Sequence, residues 1–447
     1  MKKELIGLSM MLTAFGIQAQ SDPEITSWLI NTNGTTGRHY VEGNSTPITD
    51  SYLANVETVE YSDDYVYVHS AGIPSYIVGP YMDGNPALAT DNEWIFKIPR
   101  VPAENTGNGT ETPLGSIGVF INGVPMYNYS DAMSYNSEGV WNRDAVVNEM
   151  DGFDCAKGHP SPIFNGPPGP GGTLEGGSYH HHQNPTAFNL DLVEVSDVCD
   201  LYLADGLYTI NASEHSPLIG FAFDGYPVYG AYGYANTDGT GGIVRMESSY
   251  QLRNITVRTH LADGTDVSDG PAVSSSYPLG TYQEDYEYVD GSGHLDEHNG
   301  RFCVTPEFPN GTYAYFATVD ENWNSAYPYM VGPTYYGVKT GSTVTSVTES
   351  TTTYDITTVV DKNHVNIEFN AFPNPSSDVI AVQISGLLEV DMTLQLFDMN
   401  GKLVKQSSVN KGSTIAHIDV STLYSGQYLV ELTDGVNKYS KQIQVLH

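Results

Sequence analysis

The segment Met392-Thr-Leu-Gln-Leu-Phe-Asp-Met-Asn-Gly-Lys-Leu-Val-Lys-Gln406 gives the clearest indication of the fold in the C-terminal part of the chain. Apolar and polar side chains alternate along Leu394-Gln-Leu-Phe397, as they do in a strand with one buried face. Asn400-Gly401 is a residue pair that favours a two-residue hairpin turn. The stretch therefore predicts two antiparallel strands, Met392–Phe397 and Lys402–Gln406.

Five further strand-like runs surround this hairpin. They are Val365–Phe369, Val379–Ile384, Thr414–Asp419, Gly426–Leu432 and Tyr439–Val445. Seven short alternating strands that close together predict a small Ig-like β-sandwich over residues 367–447.

The preceding part of the chain is also mainly β. Residues 20–340 predict a large irregular β-rich domain, because short β-like runs end at Gly, Pro, Asn or Asp. The clearest runs begin at Tyr65, Trp94, Ile117 and Gly311. Gly166–Gly177 is nearly all Gly and Pro, which predicts a long loop. Residues 341–366 begin with a Ser/Thr-rich run and predict an extended linker.

The first 19 residues read as a secretory signal peptide. Lys2 and Lys3 precede an apolar run from Leu5 to Ile17, and Ala19 offers a small residue for cleavage. No later stretch has the ~20 apolar residues of a membrane helix, so we expect an exported protein without a transmembrane segment.

Charge and cysteine content narrow the function classes. Against 18 Lys and Arg the chain has 53 Asp and Glu, a net charge of −35, which argues against nucleic acid as a partner. An exported chain can oxidise its three cysteines. Proximity in sequence predicts a Cys155–Cys199 disulfide and leaves Cys303 as the odd thiol.

Four segments of the C-terminal domain carry a resemblance to a known family. They are Phe372-Pro-Asn-Pro-Ser, Leu396-Phe-Asp-Met-Asn-Gly-Lys, Leu423-Tyr-Ser-Gly-Gln-Tyr-Leu-Val and the basic end Lys438–Lys441. In this order they resemble the C-terminal sorting domain of type IX secretion. The resemblance implies the type IX secretion machinery as partner. It also implies a Gram-negative cell and passage through the periplasm to secretion or the cell surface.

The chemistry is expected in residues 20–340, where Tyr179-His180-His181-His182 is the most unusual motif. In a strand, His180 and His182 project from one face, and Tyr179 and His181 from the other. Two imidazoles on one face form half of a metal site, and imidazole suits zinc or copper. The alternative is that these histidines line a pocket or serve the structure without a metal.

Several histidines elsewhere are candidates for the third ligand. The expected ligand set is His180, His182 and His215, with His294 or His298 in reserve. His159, just before the Gly/Pro loop, is a further candidate.

Additional motifs complete a second resemblance, over residues 115–340. They are His215-Ser-Pro-Leu-Ile-Gly-Phe-Ala-Phe-Asp224-Gly-Tyr226-Pro-Val-Tyr229-Gly, Leu295-Asp296-Glu-His-Asn299-Gly-Arg301, Gly311-Thr-Tyr-Ala-Tyr-Phe and Tyr327-Pro-Tyr-Met-Val-Gly-Pro. With the Tyr-His-His-His segment they resemble the YHYH-domain family, named for Tyr-His-Tyr-His. Tyr179, His180 and His182 match, and His181 replaces the second tyrosine. The resemblance implies an exported bacterial domain but no settled activity.

The motif residues around the histidines also have local interpretations. Asp224 either orients a histidine at a metal site or caps a turn. Arg301 pairs with a carboxylate.

Two functions of different classes follow from the sequence. The first is a secreted protein that binds copper or zinc, whose catalytic activity the sequence leaves open. The second is a non-enzymatic surface module whose tyrosines bind a glycan or small molecule and whose histidines are structural.

Overall fold

The computed structural model describes residues 22–165, 173–187, 202, 206–355, 369–384, 388, 391–399, 402–433 and 438–447. The chain divides into two compact units after Tyr354. The predicted signal peptide and Cys199 lie outside the described residues. No helix in the described ranges is long and apolar enough to cross a membrane.

The N-terminal unit is built from many short strands. They are Thr36–Val41 (β1), Asn44–Leu53 (β2), Val56–Tyr61 (β3), Tyr65–Ser70 (β4), Ile77–Val78 (β5), Trp94–Pro99 (β6), Thr110–Glu111 (β7), Ser116–Phe120 (β8), Pro125–Tyr127 (β9), Ser130–Ser134 (β10), Asn142–Asp144 (β11), His159–Asn165 (β12), Thr173–His180 (β13), Thr186–Ala187 (β14), Tyr208–Thr209 (β15), Leu218–Ala222 (β16), Pro227–Tyr229 (β17), Tyr232–Tyr234 (β18), Ile243–Arg245 (β19), Tyr250–Leu252 (β20), Tyr286–Tyr288 (β21), Gly300–Cys303 (β22), Thr312–Phe316 (β23), Thr334–Tyr335 (β24), Ser342–Val344 (β25) and Thr352–Thr353 (β26).

Within the described ranges, helices are few and short. The α-helices are Pro23–Thr26 (α1) and Ala145–Asn148 (α2), and single 3-10 turns span Tyr135–Ser137, Met150–Gly152 and Gln283–Asp285.

Two sheets form the centre of the N-terminal unit. One has six strands in the order β22-β23-β17-β16-β8-β9, and the other has five in the order β25-β6-β4-β3-β26. Val68 and Phe96 of the second sheet and Val119, Phe221 and Tyr315 of the first are buried in one apolar core. The strands predicted at Tyr65, Trp94, Ile117 and Gly311 are confirmed as β4, β6, β8 and β23.

Two segments that the sequence predicts to be irregular contain β-strands in the structure. Thr173–Gly177 of the predicted Gly/Pro loop belongs to β13, and residues 166–172 lie outside the described ranges. In the predicted linker, β25 pairs with β6 and β26 pairs with β3. Val and Thr are β-branched and suit a sheet edge, so this Ser/Thr-rich run adds strands to the sheet.

The C-terminal unit confirms the predicted sandwich. Its strands are Phe369–Phe372 (β27), Val379–Ile384 (β28), Met392–Asp398 (β29), Leu403–Val409 (β30), Ile415–Asp419 (β31), Gly426–Thr433 (β32) and Lys438–Val445 (β33). They form sheets in the orders β27-β28-β31 and β30-β29-β32-β33. Leu394, Leu396, Val430 and Leu432 are fully buried, and β29 pairs antiparallel with β30 as expected. Asn400 and Gly401 lie outside the described residues.

The cysteines agree with the expected oxidised state as far as they are described. Cys155 takes part in a disulfide, and Cys303 is a buried free thiol. The pairing of Cys155 with Cys199 stays a prediction.

A buried ion pair organises the segment that contains β20 and β21. Arg258 donates from Nε to Asp285 Oδ1 at 2.7 Å and from Nη2 to Oδ2 at 2.8 Å, and both side chains are 0% exposed. Asp285 Oδ2 also accepts the backbone amides of Gly280 and Tyr282. Because every charge has several partners, the pair fixes the path of residues 258–285.

Candidate metal centre

The hairpin of β12 and β13 brings two distant histidines together. The strands are antiparallel, and their register places His159 opposite His180 and Pro160 opposite Tyr179. Side chains of a cross-strand pair leave the sheet on the same face, so the two imidazoles meet. Their ring centroids are 4.7 Å apart.

The expected alternation along the Tyr-His-His-His motif is present. Tyr179 donates from its hydroxyl to buried Asp154, and the His181 ring lies 5.2 Å from the Tyr179 ring. Gly158 leaves room for this pair, because a Cβ there would lie 2.4 Å from the Tyr179 hydroxyl. The rings of His180 and His182 lie 4.9 Å apart.

His181 is fully bonded within the core. Its Nδ1 is 3.0 Å from the Lys157 carbonyl, and its Nε2 is 2.7 Å from the Tyr76 hydroxyl. With Nδ1–H donating to the carbonyl, Nε2 accepts from the phenol, so both ring nitrogens have partners. His181 is therefore a structural residue of this face.

His180 and His182 are held differently. His180 donates its Nδ1–H to the Ser178 carbonyl at 2.9 Å, and His182 donates its Nδ1–H to the Asn128 carbonyl. These bonds fix the tautomer, because a carbonyl only accepts. Both Nε2 atoms then carry lone pairs, yet they lie 3.1 Å apart.

His159 and Glu149 complete the cluster. One ligand atom each from His159, His180 and His182 lies within 4.8 Å of the others. Glu149 Oε2 is 3.2 Å from His159 Nε2 and 3.3 Å from His182 Nε2. Glu149 directly follows α2, whose N-cap Asp144 accepts the Val147 amide. The helix therefore aims the carboxylate at the imidazoles.

Burial favours the neutral forms of His180 and His182. It lowers the pKa of His182 to about 4, although Glu149 acts in the opposite direction. It also lowers the pKa of His180 well below the usual range, and the charges of His159 and His182 add to this effect. Burial alone raises the pKa of Glu149, but the contact with His159 and the charges of both histidines outweigh it and lower that pKa.

The cluster opens onto a cavity of about 530 Å³. Glu149, His159, His180 and His182 line it, and so does Tyr127, whose ring stacks on His180 with centroids 3.8 Å apart. The stacked ring covers one face of the imidazole and leaves the cluster accessible from the cavity.

The other predicted ligands do not join this group. In the part of the chain that the structure describes, the group of potential metal ligands consists of His159, His180 and His182. It does not include His215, His294 or His298. His215 donates Nδ1–H to the Ser216 carbonyl and packs beside Tyr229 and Phe316. His159 therefore replaces His215 as the third imidazole.

His294 and His298 lie on another segment. His294 Nδ1 accepts the Glu247 amide at 3.2 Å. His298 Nδ1 is 3.0 Å from the Thr334 carbonyl and 2.8 Å from its hydroxyl. Both act as local hydrogen-bonding residues between loops.

Asp224 and Tyr226 belong to a turn, and the Tyr226 ring lies edge-on to the rings of Tyr313 and Tyr336. Asp224 accepts the Tyr226 amide, the Gly337 amide and the Tyr315 hydroxyl, the last at 2.6 Å. Burial raises the pKa of Asp224 to about 6, although these hydrogen bonds act to lower it. Of the two roles predicted for Asp224, its contacts are those of the turn cap.

Asp296, Asn299 and Arg301 also serve the local structure. Asp296 accepts the Tyr313 hydroxyl at 2.8 Å, and Asn299 donates to the carbonyls of Phe316 and Met330. Arg301 donates to the carbonyls of Tyr234 and Ala235. Its bonds are to main-chain oxygens, where a carboxylate was expected.

A comparison with family models identifies the family of the N-terminal unit. A family model described as YHYH protein matches residues 95–332. The chain belongs to the YHYH protein family. In this YHYH protein, the matched range encloses the whole histidine cluster.

A second family model, described as the secretion system C-terminal sorting domain, matches residues 370–446. This domain indicates secretion or attachment to the cell surface by the type IX system in a Gram-negative bacterium. The sequence match thus agrees with the seven-stranded C-terminal unit.

No curated protein matches this YHYH protein. One similar solved structure is a DUF3244 family protein with an immunoglobulin-like β-sandwich fold from Bacteroides vulgatus ATCC 8482. The two sequences are 17% identical, and the match covers 18% of this chain and 86% of the DUF3244 chain, with a TM-score of 0.16.

Proposed function

We propose that this YHYH protein is a secreted transition-metal protein in which His159, His180 and His182 hold zinc or copper, with Glu149 beside them. The single observation that carries the proposal is the contact between His180 Nε2 and His182 Nε2, 3.1 Å apart. Their Nδ1 hydrogens are committed to main-chain carbonyls. A bound cation would turn the repulsion of two facing lone pairs into shared coordination.

The distances support this interpretation. In a tetrahedral site with metal–nitrogen bonds of ~2.0–2.1 Å, two ligand nitrogens lie ~3.3 Å apart. The Nε2 pair is therefore already spaced like two ligands of one ion. The carbonyls of Ser178 and Asn128 play the part that main-chain oxygens play behind metal-bound histidines, since they fix the tautomer and the ring orientation.

The donor set favours zinc or copper over harder ions. Three imidazoles and one carboxylate suit zinc and copper, whereas calcium and magnesium prefer oxygen ligands alone. Zinc would act as a Lewis acid on a molecule in the cavity, and copper would add redox chemistry. The cavity beside the cluster gives such a molecule access to the metal.

The alternative, a glycan-binding surface with structural histidines, has less support. Such a surface needs aromatic rings that lie open to solvent. The most nearly parallel tyrosine stacks are Tyr313 on Tyr336 and Tyr286 on Tyr327. Tyr313 and Tyr327 are 2% and 6% exposed, so these stacks contribute mainly to the core.

Elemental mass spectrometry of the secreted chain, purified without an affinity His-tag, tests the proposal. About one zinc or copper ion per chain is expected, and it should be lost in His180→Ala and in His182→Ala. Glu149→Gln should weaken binding without abolishing it, because three imidazoles remain. Wild-type protein that takes up neither metal after reconstitution would refute the metal centre and favour binding assays on surface glycans.

A further inference from the structure

A second cavity adjoins the one beside the histidine cluster. The first has a volume of about 530 Å³ and the second about 500 Å³, and Leu114, Ser130 and Ala132 line both. The second is otherwise lined mostly by hydroxyl and amide side chains, among them Thr112, Asn128, Asn142, Gln283 and Thr334. The three shared residues make the two cavities neighbours, and the pair is called the cleft below. Two adjoining cavities suit an extended ligand better than a compact one.

The fixed charges of this cleft have one sign. Asp83, Asp131 and Glu149 line the first cavity and Glu111 the second, and no lysine or arginine is among the described residues that line either. Arg143 compensates one of these charges in part, because its Nη1 lies 3.9 Å from Asp131 Oδ2. Carboxylates in a concave wall focus a negative potential, which attracts cations and repels anions.

One lining carboxylate, that of Asp131, is buried without full compensation. The Asp131 side chain is 5% exposed, so its carboxyl has lost most of its contact with water. Its Oδ1 accepts the Met133 amide, whereas its Oδ2 lies 3.9 Å from Arg143 Nη1, beyond hydrogen-bond distance. A buried carboxylate oxygen without a close partner is costly, and a cation in the cleft would relieve that cost.

We propose that this cleft binds an extended cationic chain that bears ammonium or guanidinium groups. The cations would pair with Asp83, Asp131 and Glu111, while the uncharged groups of the chain would meet the amides and hydroxyls of the second cavity. This inference goes beyond the proposed metal centre and does not require a metal, because these three carboxylates lie outside the ligand cluster.

Isothermal titration of the full secreted chain with pentalysine, with spermine and with the neutral sugar maltopentaose tests the proposal. Pentalysine should bind both before and after chelation of metal. Asp83→Asn and Asp131→Asn should each weaken binding by about fivefold or more. If spermine binds and pentalysine does not, the cleft still binds a cationic chain, and that chain is a free polyamine.

The control is Asp263→Asn. Asp131 Oδ1 accepts the amide two residues ahead, that of Met133, and Asp263 Oδ1 accepts the Thr265 amide in the same way. Both substitutions therefore remove one charge from one kind of turn, but Asp263 lines neither cavity. Equal losses in Asp131→Asn and Asp263→Asn would mean that the acidic surface binds cations without a site. That result, or binding of maltopentaose alone, would overturn the proposal.

Discussion

His159 lies directly across the antiparallel pair β12–β13 from His180. The pairing places both imidazoles on the face that also carries His182, and the three form one group of potential ligands. The third imidazole of the proposed centre is therefore set by strand register. His215, which sequence motifs favoured, packs beside Tyr229 and Phe316 instead.

His159→Ala should lower zinc affinity by more than ~100-fold, because loss of a ligand costs more than loss of a residue that only orients one. His215→Ala should leave the affinity unchanged, since it removes a half-buried imidazole outside the cluster. Competition titration with a chelating zinc indicator measures both affinities, and circular dichroism checks the fold. Wild-type affinity in His159→Ala would exclude His159 as a ligand.

The sequence could predict one half of this cluster and not the other. The strand period alone places His180 and His182 together, because alternate side chains share a face. The place of His159 depends on the register across a Gly/Pro-rich connection, which no local pattern fixes. Glu149 was missed altogether, because a one-turn helix leaves no periodic signal. The only local sign of α2 is Asp144, which can cap a helix three residues before Val147.

The strands themselves were more predictable than the site. The seven strands of the C-terminal unit follow from alternation and turn residues, which are local signals. In the N-terminal unit β25 and β26 pair with strands far away in sequence. Their Ser/Thr composition is equally compatible with a solvated linker, so the pairing could be seen only in the structure.

Asp144 makes stability depend on pH. Burial raises the pKa of Asp144 to about 7, against hydrogen bonds from the Tyr329 hydroxyl and the Val147 amide. In the unfolded chain an Asp has a pKa of ~3.9, so between these values the folded state holds a proton that the unfolded state lacks. Stability from this group is therefore present at low pH and is lost as pH rises toward 7.

Asp144→Asn should reduce the fall in melting temperature between pH 5 and pH 8, because the amide does not titrate and still offers Oδ1 to Val147. Thermal unfolding at both pH values measures the change. Asp263→Asn is the control: the Thr265 amide lowers the pKa of exposed Asp263, which stays ionised over the whole window. An unchanged pH dependence in Asp144→Asn would contradict the assignment.

The cysteines give a test of the oxidised state. Cys303 is 1% exposed, and burial raises the pKa of its thiol, so it should not react with a thiol reagent in the native protein. In urea one thiol per chain should react, and after reduction all three. Peptide mapping should find Cys155 linked to Cys199. Two or more reactive thiols in unreduced, denatured protein would rule out that disulfide.

The Arg258–Asp285 pair links stability to the site. Asp285→Asn leaves a fully buried guanidinium without its counter-charge, which should cost ~3–5 kcal/mol in the free energy of unfolding. The comparison is Glu247→Gln, which breaks the pair between Arg245 and Glu247 and should cost under ~1 kcal/mol because both side chains are partly exposed. Urea denaturation measures both values, and a loss under ~1 kcal/mol in Asp285→Asn would contradict the prediction.

The same substitution should also weaken metal binding. Asp285 Oδ2 holds the amides of Gly280 and Tyr282 on either side of Thr281. The Thr281 carbonyl accepts the Asp144 amide and the Asn148 side chain, which mark the two ends of α2. Loss of these hydrogen bonds around Thr281 should shift α2 and with it Glu149. Zinc affinity should therefore fall in Asp285→Asn and stay unchanged in Glu247→Gln. Unchanged affinity in Asp285→Asn would mean that α2 holds Glu149 without this support.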